Sequence, residues 1–471
     1  MLKQNKNTDH VIFDARWIWY GCAIAIYFIV LYLPLEGFTD PGKHALAVFS
    51  VAAFLWITNV FPIAVTGIVV LFMLPLTGDI SASTTYSYFG NSAVFFVLGA
   101  FILASPVMRS GLSTRIAVTI ISKFGKGSKR LLFSIFALSS LLAFIISEHA
   151  VAAILFPIIL EIIKAAESPK GSRFAFAAFM AMAWGSMVGG TATLLGGARA
   201  PLAIGMLQTD TDKTISFIQW TTWTLPAVII ILAVCFCVLL FIIRGSTINI
   251  ELARAKILEH KSKLGPLSRR ELYTIIILLF TIILWISYGT AWGLDWIALL
   301  GVILAFSLKI TNWREVEEDV KWGIFIMYGS AIALSAALRD TGAAHALVQM
   351  LLQTGITSPL LIFTVLALLA IILTEVMSNA AAVAVLMPMG LALGFEFGID
   401  PRAIALGIAT CAGLTFVLPV STPAMAIVTS CSHVDRKKAM LWGIFLKTIA
   451  FGVFMGMVLI YWPMVGLSLV N

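Results

Sequence analysis

The chain has 471 residues, of which 60% are apolar and only 11% are charged. Soluble proteins carry about 25% charged residues, so this composition excludes a soluble globular protein and indicates a polytopic protein of the lipid bilayer. The net charge of +8 does not indicate a nucleic-acid-binding protein, because the lysine and arginine residues lie mainly in predicted loops of one face, which is an orientation signal.

Hydropathy predicts that the first half of the chain crosses the membrane several times, since about 20 apolar residues are needed for each crossing. A hairpin of two apolar arms with a polar tip follows an amphipathic stretch. A hydrophilic cytoplasmic linker then divides the chain. The predicted spans are 17–35, 44–60, 62–76, 92–108, 174–207 (interrupted near 196–201) and 218–243, with the amphipathic stretch at 112–124, the hairpin at 131–163 and the linker at 244–271.

The second half repeats this plan, including a short helix before a second hairpin. The predicted spans are 272–291, 296–310, 322–338, 403–431 (interrupted near 418–423) and 440–465, with the short helix at 341–353 and the hairpin at 359–393. The prediction is an all-α polytopic membrane protein of about 11 transmembrane helices with two hairpins. Each hairpin arm is shorter than a comfortable crossing, so we interpret both hairpins as re-entrant.

Charge distribution predicts the orientation. If the N-terminus is cytoplasmic, most of the 31 lysine and arginine residues lie on the cytoplasmic side. The first hairpin then enters from the cytoplasm and the second from outside. This inverted repeat is typical of transporters of the cell membrane, and paired interrupted segments indicate a binding site.

The hairpin tips carry the candidate site. A serine stands ten residues before a proline in each hairpin, Ser147 before Pro157 and Ser378 before Pro388. Two tips that enter from opposite faces would meet near the midplane and present helix N-termini, which suit a carboxylate, and freed carbonyl groups, which suit Na⁺. Ser378 and Asn379 can donate to an anion or accept from a cation.

This arrangement resembles the divalent anion:sodium symporter family, the carriers of dicarboxylates, citrate and sulfate. The resemblance lies in the hairpin and interrupted-span order, which occurs twice, and in segments 374–379 and 418–423. It implies an elevator-type homodimer in which a transport part moves against a scaffold part. The implied parts are scaffold 1–130 and 272–354, transport 131–243 and 355–471, and linker 244–271.

At the second tip the chain follows the family's Ser-Asn-Thr signature closely. Ser378 and Asn379 match, whereas Ala380 replaces the threonine. The family also has a Gly/Thr-Pro-Pro-Asn-like turn in each interrupted span, of which Thr422 and Pro423 match here. The resemblance therefore implies substrate contacts for all five residues, and a residual sodium site at Ser378, Asn379 and Thr422.

The first tip departs from the signature. Only Ser147 matches, and Glu148 and His149 replace the amide and the threonine. The first interrupted span carries Gly196 but has Arg199 in its turn and lacks the family's asparagine. We expect Ser147 and His149 to contact substrate, and Glu148 and Arg199 to pair at or beside the first sodium site, because unpaired charges at membrane depth cost about 2.5–3.5 kcal/mol each. The alternative that this pair only clamps the hairpin to the interrupted span stays open.

A fixed cation cannot leave the site as a sodium ion does. We therefore predict a sodium-independent exchanger of C4–C5 dicarboxylates, whose charged empty site resists crossing the low-dielectric layer. The alternatives are sodium symport through the residual site and proton coupling through Glu148 and His149. No metalloprotease spacing or nucleophile–base pair appears, so we expect no enzyme activity and no cofactor other than Na⁺.

Four other charged positions carry expectations. We interpret the acidic run 315–319 and Asp210 as solvated loop faces. Lys447 is expected to snorkel to the cytoplasmic face. Glu375 precedes the second tip by three residues, and we expect it to brace the hairpin without contacting substrate.

Overall fold

The computed structural model describes residues 7–125, 127–246, 248–353, 355, 357–419 and 421–470, with side chains from Trp17 onward. Regular secondary structure in this part is helical, apart from one isolated β-bridge between Ile399 and Val470. The all-α prediction is confirmed. Residues 1–6, which carry part of the orientation prediction, lie outside the described residues, as does Val420 of the second interruption.

The first half contains twelve of the helices. They are α1 (Asn7–Tyr32), α2 (Asp40–Thr58), α3 (Ile63–Leu76), α4 (Ala82–Ser87), α5 (Ser92–Arg109), α6 (Leu112–Phe124), α7 (Ser128–Ala143), α8 (Glu148–Ala165), α9 (Arg173–Gly189), α10 (Arg199–Thr211), α11 (Phe217–Ile242) and α12 (Ile250–Lys263).

The second half contains the others. They are α13 (Arg269–Trp292), α14 (Leu294–Ser307), α15 (Trp313–Asp319), α16 (Trp322–Asp340), α17 (Ala343–Leu352), α18 (Pro359–Val376), α19 (Asn379–Glu396), α20 (Pro401–Cys411), α21 (Pro423–Ser430), α22 (Arg436–Gly456) and α23 (Trp462–Met464), with a π-helical segment, Met457–Tyr461, before the last.

Length and composition allow 8 helices of the described chain to cross a membrane. The prediction of about 11 spans also includes shorter apolar helices such as α3 and α14, of 14 residues each. Two local expectations need correction. The predicted linker loop contains α12, which packs against α6 and α8. The arms of the second hairpin, α18 and α19, have 18 residues each, and this length of about 27 Å nearly matches a bilayer.

The inverted repeat is visible in the packing of the helices. In the order of the predicted spans, α3 corresponds to α14 and α5 corresponds to α16. Each of these helices packs against the other half: α5 against α14, and α3 against α16. The interrupted spans do the same. α10 packs against α19 and α20 of the second half, while α21 packs against α8 and α9 of the first. Each interrupted span therefore holds the hairpin of the other repeat, and both tips are brought to one place.

Small residues allow the first hairpin to approach its neighbour closely. Every residue of α9 from Phe174 to Gly189 is buried, and this helix packs along α7. A Cβ atom on Gly189 would lie 2.6 Å from the carbonyl oxygen of Ser140, and one on Gly185 would lie 2.9 Å from that of Phe136. Larger side chains at these glycines would push the first hairpin away from α9.

Polar contacts tie the C-terminal end of α10 to α5 and α16. Arg339 donates to Asp210 Oδ1 at 2.7 Å and Ser335 donates to Asp210 Oδ2 at 2.7 Å, while Asn91 donates to Thr209 Oγ1 at 2.8 Å. Only 8% of the Asp210 side chain is exposed. The interpretation of Asp210 as a solvated loop residue is therefore wrong, because its position in α10 directs it against α16.

Candidate functional site

A cavity of about 600 Å³ lies where the two hairpin tips meet the two interrupted spans. Pockets of about 300–1,000 Å³ are typical of small-molecule sites. The residues contributed by the tips and by the interruptions are Ser147, Glu148, His149, Ala150, Gly197, Ala198, Arg199, Ser378, Asn379, Ala380, Ser421 and Pro423. The predicted meeting of the two tips is thus present in the structure.

Four helices begin at this cavity. The first residues of α8, α10, α19 and α21 are Glu148, Arg199, Asn379 and Pro423, and all four line it. The first N–H groups of a helix have no partner within the helix, and the end carries a partial positive charge of roughly half an elementary charge. Several such ends that face one space make it favourable for an anion.

The two tip serines have the same structural role. Ser147 caps α8 by accepting a hydrogen bond from the N–H of Ala150 at 3.4 Å, and Ser378 caps α19 by accepting one from Ala381 at 3.2 Å. A capping oxygen fixes the entry of the chain into the helix. Because only the oxygen is used, each hydroxyl hydrogen stays available to the cavity that both residues line.

Arg199 is buried between the two interruptions. Its side chain is 2% exposed and lies against the backbone of Gly197 on one side and Gly413 on the other. Glu148 is its nearest acidic residue, with Arg199 Nη1 4.0 Å from Glu148 Oε2. The expected Glu148–Arg199 pair is present, but this distance is too long for a hydrogen bond.

Several polar atoms at the first tip lack a partner. In the described part of the chain, Glu148 Oε2, Arg199 Nη2 and His149 Nδ1 are buried and make no hydrogen bond. His149 Nδ1 lies 3.8 Å from Glu148 Oε1, which is too far for a hydrogen bond. Buried polar groups are nearly always satisfied, so a cluster of three unsatisfied atoms beside a cavity indicates a place for a polar ligand.

Three oxygen atoms lie close together beside the second tip. Thr374 Oγ1 lies 2.8 Å from Asn379 Oδ1 and 2.7 Å from the carbonyl oxygen of Ala412. A hydroxyl group has one hydrogen, so it can donate fully to only one of these two acceptors. Oxygens from a broken helix and a hairpin tip form the kind of group that coordinates Na⁺ in transporters. Thr374 was absent from the predicted cation site, although its segment carries the family resemblance.

Two predicted site residues lie away from the cavity. Thr422 is 1% exposed, and its hydroxyl caps α21 by accepting from the N–H of Met425 at 3.2 Å. Unlike the tip serines, Thr422 does not line the cavity, and its hydroxyl also donates to Met187 Sδ at 3.3 Å. Its expected contact with substrate or cation stays a prediction. Gly196 is also outside the lining, and its carbonyl oxygen accepts a hydrogen bond from the N–H of Glu148 at 3.3 Å.

Glu375 braces the second hairpin, as expected. Its carboxylate accepts hydrogen bonds from three consecutive N–H groups of the interruption, the closest being Leu418 at 2.7 Å. Lys447 donates to Glu375 Oε1 at 2.7 Å and to the carbonyl oxygen of Ile371. The prediction that Lys447 snorkels to the surface is wrong, because its ammonium group pairs with this buried carboxylate.

The wall opposite the tips contains charged residues that we did not predict. Glu318, Asp319 and Lys321 line the cavity from the end of α15 and the start of α16. Arg109 donates to Asp319 Oδ2 at 2.7 Å and to Glu318 Oε2 at 2.7 Å. Burial opposes ionisation of Asp319, but hydrogen bonds from Arg109 and Ser105 outweigh it and hold the pKa below its ordinary value.

The acidic run 315–319 is therefore not simply a solvated loop. It forms α15, and its last two residues border the cavity. The position of this run directly before a predicted span was the available sequence signal. Within the described residues no group of three or more His, Cys, Asp or Glu side chains is arranged to hold a metal ion.

Gly413 provides the space that Arg199 occupies. A Cβ atom at this position would lie 2.6 Å from Arg199 Cζ and 2.5 Å from Thr191 Cγ2. We expect Gly413→Ala to displace the guanidinium and to lower the transport rate at least tenfold, since overpacking costs about 1–3 kcal/mol. Initial rates in proteoliposomes and thermal unfolding in detergent would measure this.

Gly452→Ala is the matched control, because a Cβ atom there meets nothing within 4 Å. It should leave the rate unchanged. A Gly413→Ala variant with wild-type transport would contradict the tight placement of Arg199.

Two helical hairpins, two interrupted spans and one cavity at their junction define the class of the protein as a membrane transporter. The family model for the sodium:sulfate symporter transmembrane region matches residues 14–468. The chain therefore belongs to the divalent anion:sodium symporter family.

Curated relatives agree with this assignment, and solved structures show the same fold. The chain is similar to the sodium-dependent dicarboxylate transporter SdcS of Staphylococcus saprophyticus, with 28% identity over 91% of this chain and 88% of that protein. SdcS of Staphylococcus aureus is 27% identical over 87% and 84%. In fold, the chain is similar to Neisseria gonorrhoeae MtrF (TM-score 0.59, 13% identity, 85% and 95% covered) and Alcanivorax borkumensis YdaH (TM-score 0.55, 14% identity, 85% and 90% covered).

Proposed function

We propose that this chain is a sodium-coupled transporter of small dicarboxylate anions. The observation that carries the proposal is the convergence of four helix N-termini on one cavity, because they provide positive potential for carboxylates, with N–H donors at the three that do not begin with proline. The names of the staphylococcal relatives, sodium-dependent dicarboxylate transporters, support the same substrate class and coupling ion. In this proposal Ser147, His149, Ser378, Asn379 and the residues beside them contact the anion.

The proposed sodium site lies beside the second tip. Its ligands would be Thr374 Oγ1, Asn379 Oδ1 and the carbonyl oxygen of Ala412. Thr374 Oγ1 already lies within hydrogen-bond distance of each of the other two oxygens. At the first tip Arg199 supplies a permanent cation in place of a second mobile ion. Transport would then need fewer sodium ions than in a carrier with two such sites.

Anion exchange without sodium is the second candidate, and Arg199 is the observation that favours it. The hypothesis needs an excess positive charge in the empty site. Two pairs weaken it: Glu148 lies 4.0 Å from Arg199, and Lys447 is bonded to Glu375, so neither pair carries a net charge when both partners are ionised. We therefore place sodium coupling first. Proton coupling through Glu148 and His149 is a third possibility that a pH gradient would test.

Alternating access is proposed to follow the parts expected from the sequence. The hairpins and interrupted spans of 131–243 and 355–471 interlock through α10 and α21, which supports their movement as one transport part. The remaining helices of 1–130 and 272–354 would form the scaffold and the contact between two copies. The cavity reaches the face that carries α15, since Glu318 in its lining is 52% exposed. Charge distribution predicts this face to be cytoplasmic, with the N-terminus on the same side.

Proteoliposome transport of labelled succinate tests the coupling. An inward sodium gradient should increase the initial rate of net uptake, and Thr374→Val should raise the sodium concentration needed for half-maximal rate about tenfold, as expected for losing one ligand worth about 1.4 kcal/mol. Thr364→Val is the matched control, because Thr364 lies in the same helix and bonds only to the backbone of Leu360. Counterflow that persists without sodium, together with slow net uptake, would instead support exchange.

A further inference from the structure

The wall opposite the hairpin tips carries one cation that is not neutralised. Lys321 lines the cavity just before α16, and in the described chain its ammonium group has no ion pair within 4.0 Å, although Glu148 attracts it at longer range. The acidic residues nearest to it in sequence, Glu318 and Asp319, are matched by two arginines: Arg109 bonds to both, and Arg314 Nε lies 3.5 Å from Glu318 Oε1. Across the cavity, Glu148 lies beside Arg199. Lys321 therefore contributes a positive charge that these pairs leave unmatched.

Local stability does not explain a lysine at this position. Lys321 is the N-cap residue of α16 and makes no capping hydrogen bond. Serine, threonine, aspartate and asparagine are preferred at an N-cap, and a cation at the positive end of a helix is electrostatically unfavourable. Positions at which a sequence breaks such a local rule are frequently functional. Its side chain is exposed and lines the cavity, so the ammonium group is placed to meet an anion there.

Lys321 also belongs to a different part of the protein from the tips. The tip residues sit on α8 and α19, whereas Lys321 starts α16, which packs against α3. Phe101, Ala104, Met108 and Ile324 make the rest of this wall mainly apolar. Among the described residues that line this wall, Lys321 is the cation that a dianion with its first carboxylate at the helix N-termini could meet, and Arg109 behind the wall is bonded to acidic residues.

We propose that Lys321 binds the second carboxylate of the transported anion when the cavity is open to the α15 face. The inference rests on the proposed function and deepens it in two respects. Lys321 would make the site prefer dianions to monoanions, and it would do so from one side of the membrane. A substrate held by the tips would leave Lys321 behind when the transport part moves, so the opposite face would lack this contact.

The test compares Lys321→Gln with the wild type in right-side-out and everted membrane vesicles. We expect the KM for succinate to rise between about tenfold and a hundredfold, as for a lost charge-assisted hydrogen bond, in the everted vesicles only. Inhibition of uptake by succinate and by succinamate, its monoamide with one charge less, should differ strongly in the wild type. That difference should become small in Lys321→Gln, which a purely structural role of Lys321 would not produce.

Two further variants serve as controls. Lys321→Arg should keep both the low KM and the preference for the dianion. Lys309→Gln removes a charge at an exposed position outside the cavity and should behave like the wild type. Equal effects in both vesicle orientations, or an unchanged preference for succinate over succinamate, would overturn the inference alone. A wild-type protein that moves no dicarboxylate in any condition would overturn the proposed function and this inference with it.

Discussion

Replacing Glu375 with alanine should abolish transport and lower the free energy of unfolding by about 3–5 kcal/mol, the cost of leaving a buried charge without its partner. The change leaves the Lys447 ammonium group, now 13% exposed, without its carboxylate. It also removes the carboxylate that accepts hydrogen bonds from the N–H groups of Phe416, Val417 and Leu418. Thermal unfolding in detergent and succinate uptake would measure the two effects.

Variants at Lys447 separate the two roles of Glu375, which are to pair with the ammonium group and to accept hydrogen bonds from the interruption. Lys447→Met should be milder than Glu375→Ala, because the carboxylate keeps its three backbone donors. The double variant Glu375→Ala/Lys447→Met should regain part of the stability, since no unpaired cation is left, but should stay inactive because the interruption is no longer held. Full activity in the double variant would show that the backbone hydrogen bonds of Glu375 do not position the site.

The sequence predicted the architecture well because hydrophobic length and charge asymmetry determine where a membrane chain crosses. The amphipathic helix 112–124 has the predicted bounds, and the span predicted at 62–76 begins one residue later, as α3. The non-helical segment between α20 and α21 starts after Cys411, so the predicted interruption at 418–423 covers only its C-terminal part. Apolar composition alone cannot show where a helix unwinds inside a hydrophobic run.

The charged residues were harder to place, because their roles depend on partners from distant helices. Asp210 was expected in solvent, but it is buried by Ser335 and Arg339 of the other repeat. Lys447 was expected to reach the surface, but a carboxylate 72 residues earlier holds it in the protein. Glu375 was interpreted correctly because its position next to a tip already limited its contacts. Pairing across the repeat was the information that hydropathy and local motifs did not contain.

Removing Arg199 alone should have the largest effect on the site itself. Arg199→Met leaves Glu148, which is 3% exposed, with no lysine or arginine within 4.0 Å among the described residues. We expect a loss of about 3–5 kcal/mol of stability, as for other buried pairs that lose one member, and no measurable transport. Glu148→Leu should be similarly destabilising, because it leaves the buried guanidinium with no acidic residue within 4.0 Å in the described part of the chain. Thermal unfolding in detergent and uptake in proteoliposomes would again be the measurements.

The double variant Glu148→Leu/Arg199→Met decides whether the pair is structural. Replacing both members of a buried ion pair with apolar residues of similar size is often neutral for stability, so the double variant should fold as well as the wild type. Its transport should nevertheless stay lost. Glu148 Oε2 and Arg199 Nη2 make no hydrogen bond within the described protein and lie at the cavity, which indicates that the pair acts on what enters it. A double variant that recovers wild-type uptake would mean that the pair only clamps the first hairpin to the interrupted span, and the anion would then be held by the helix N-termini without the guanidinium.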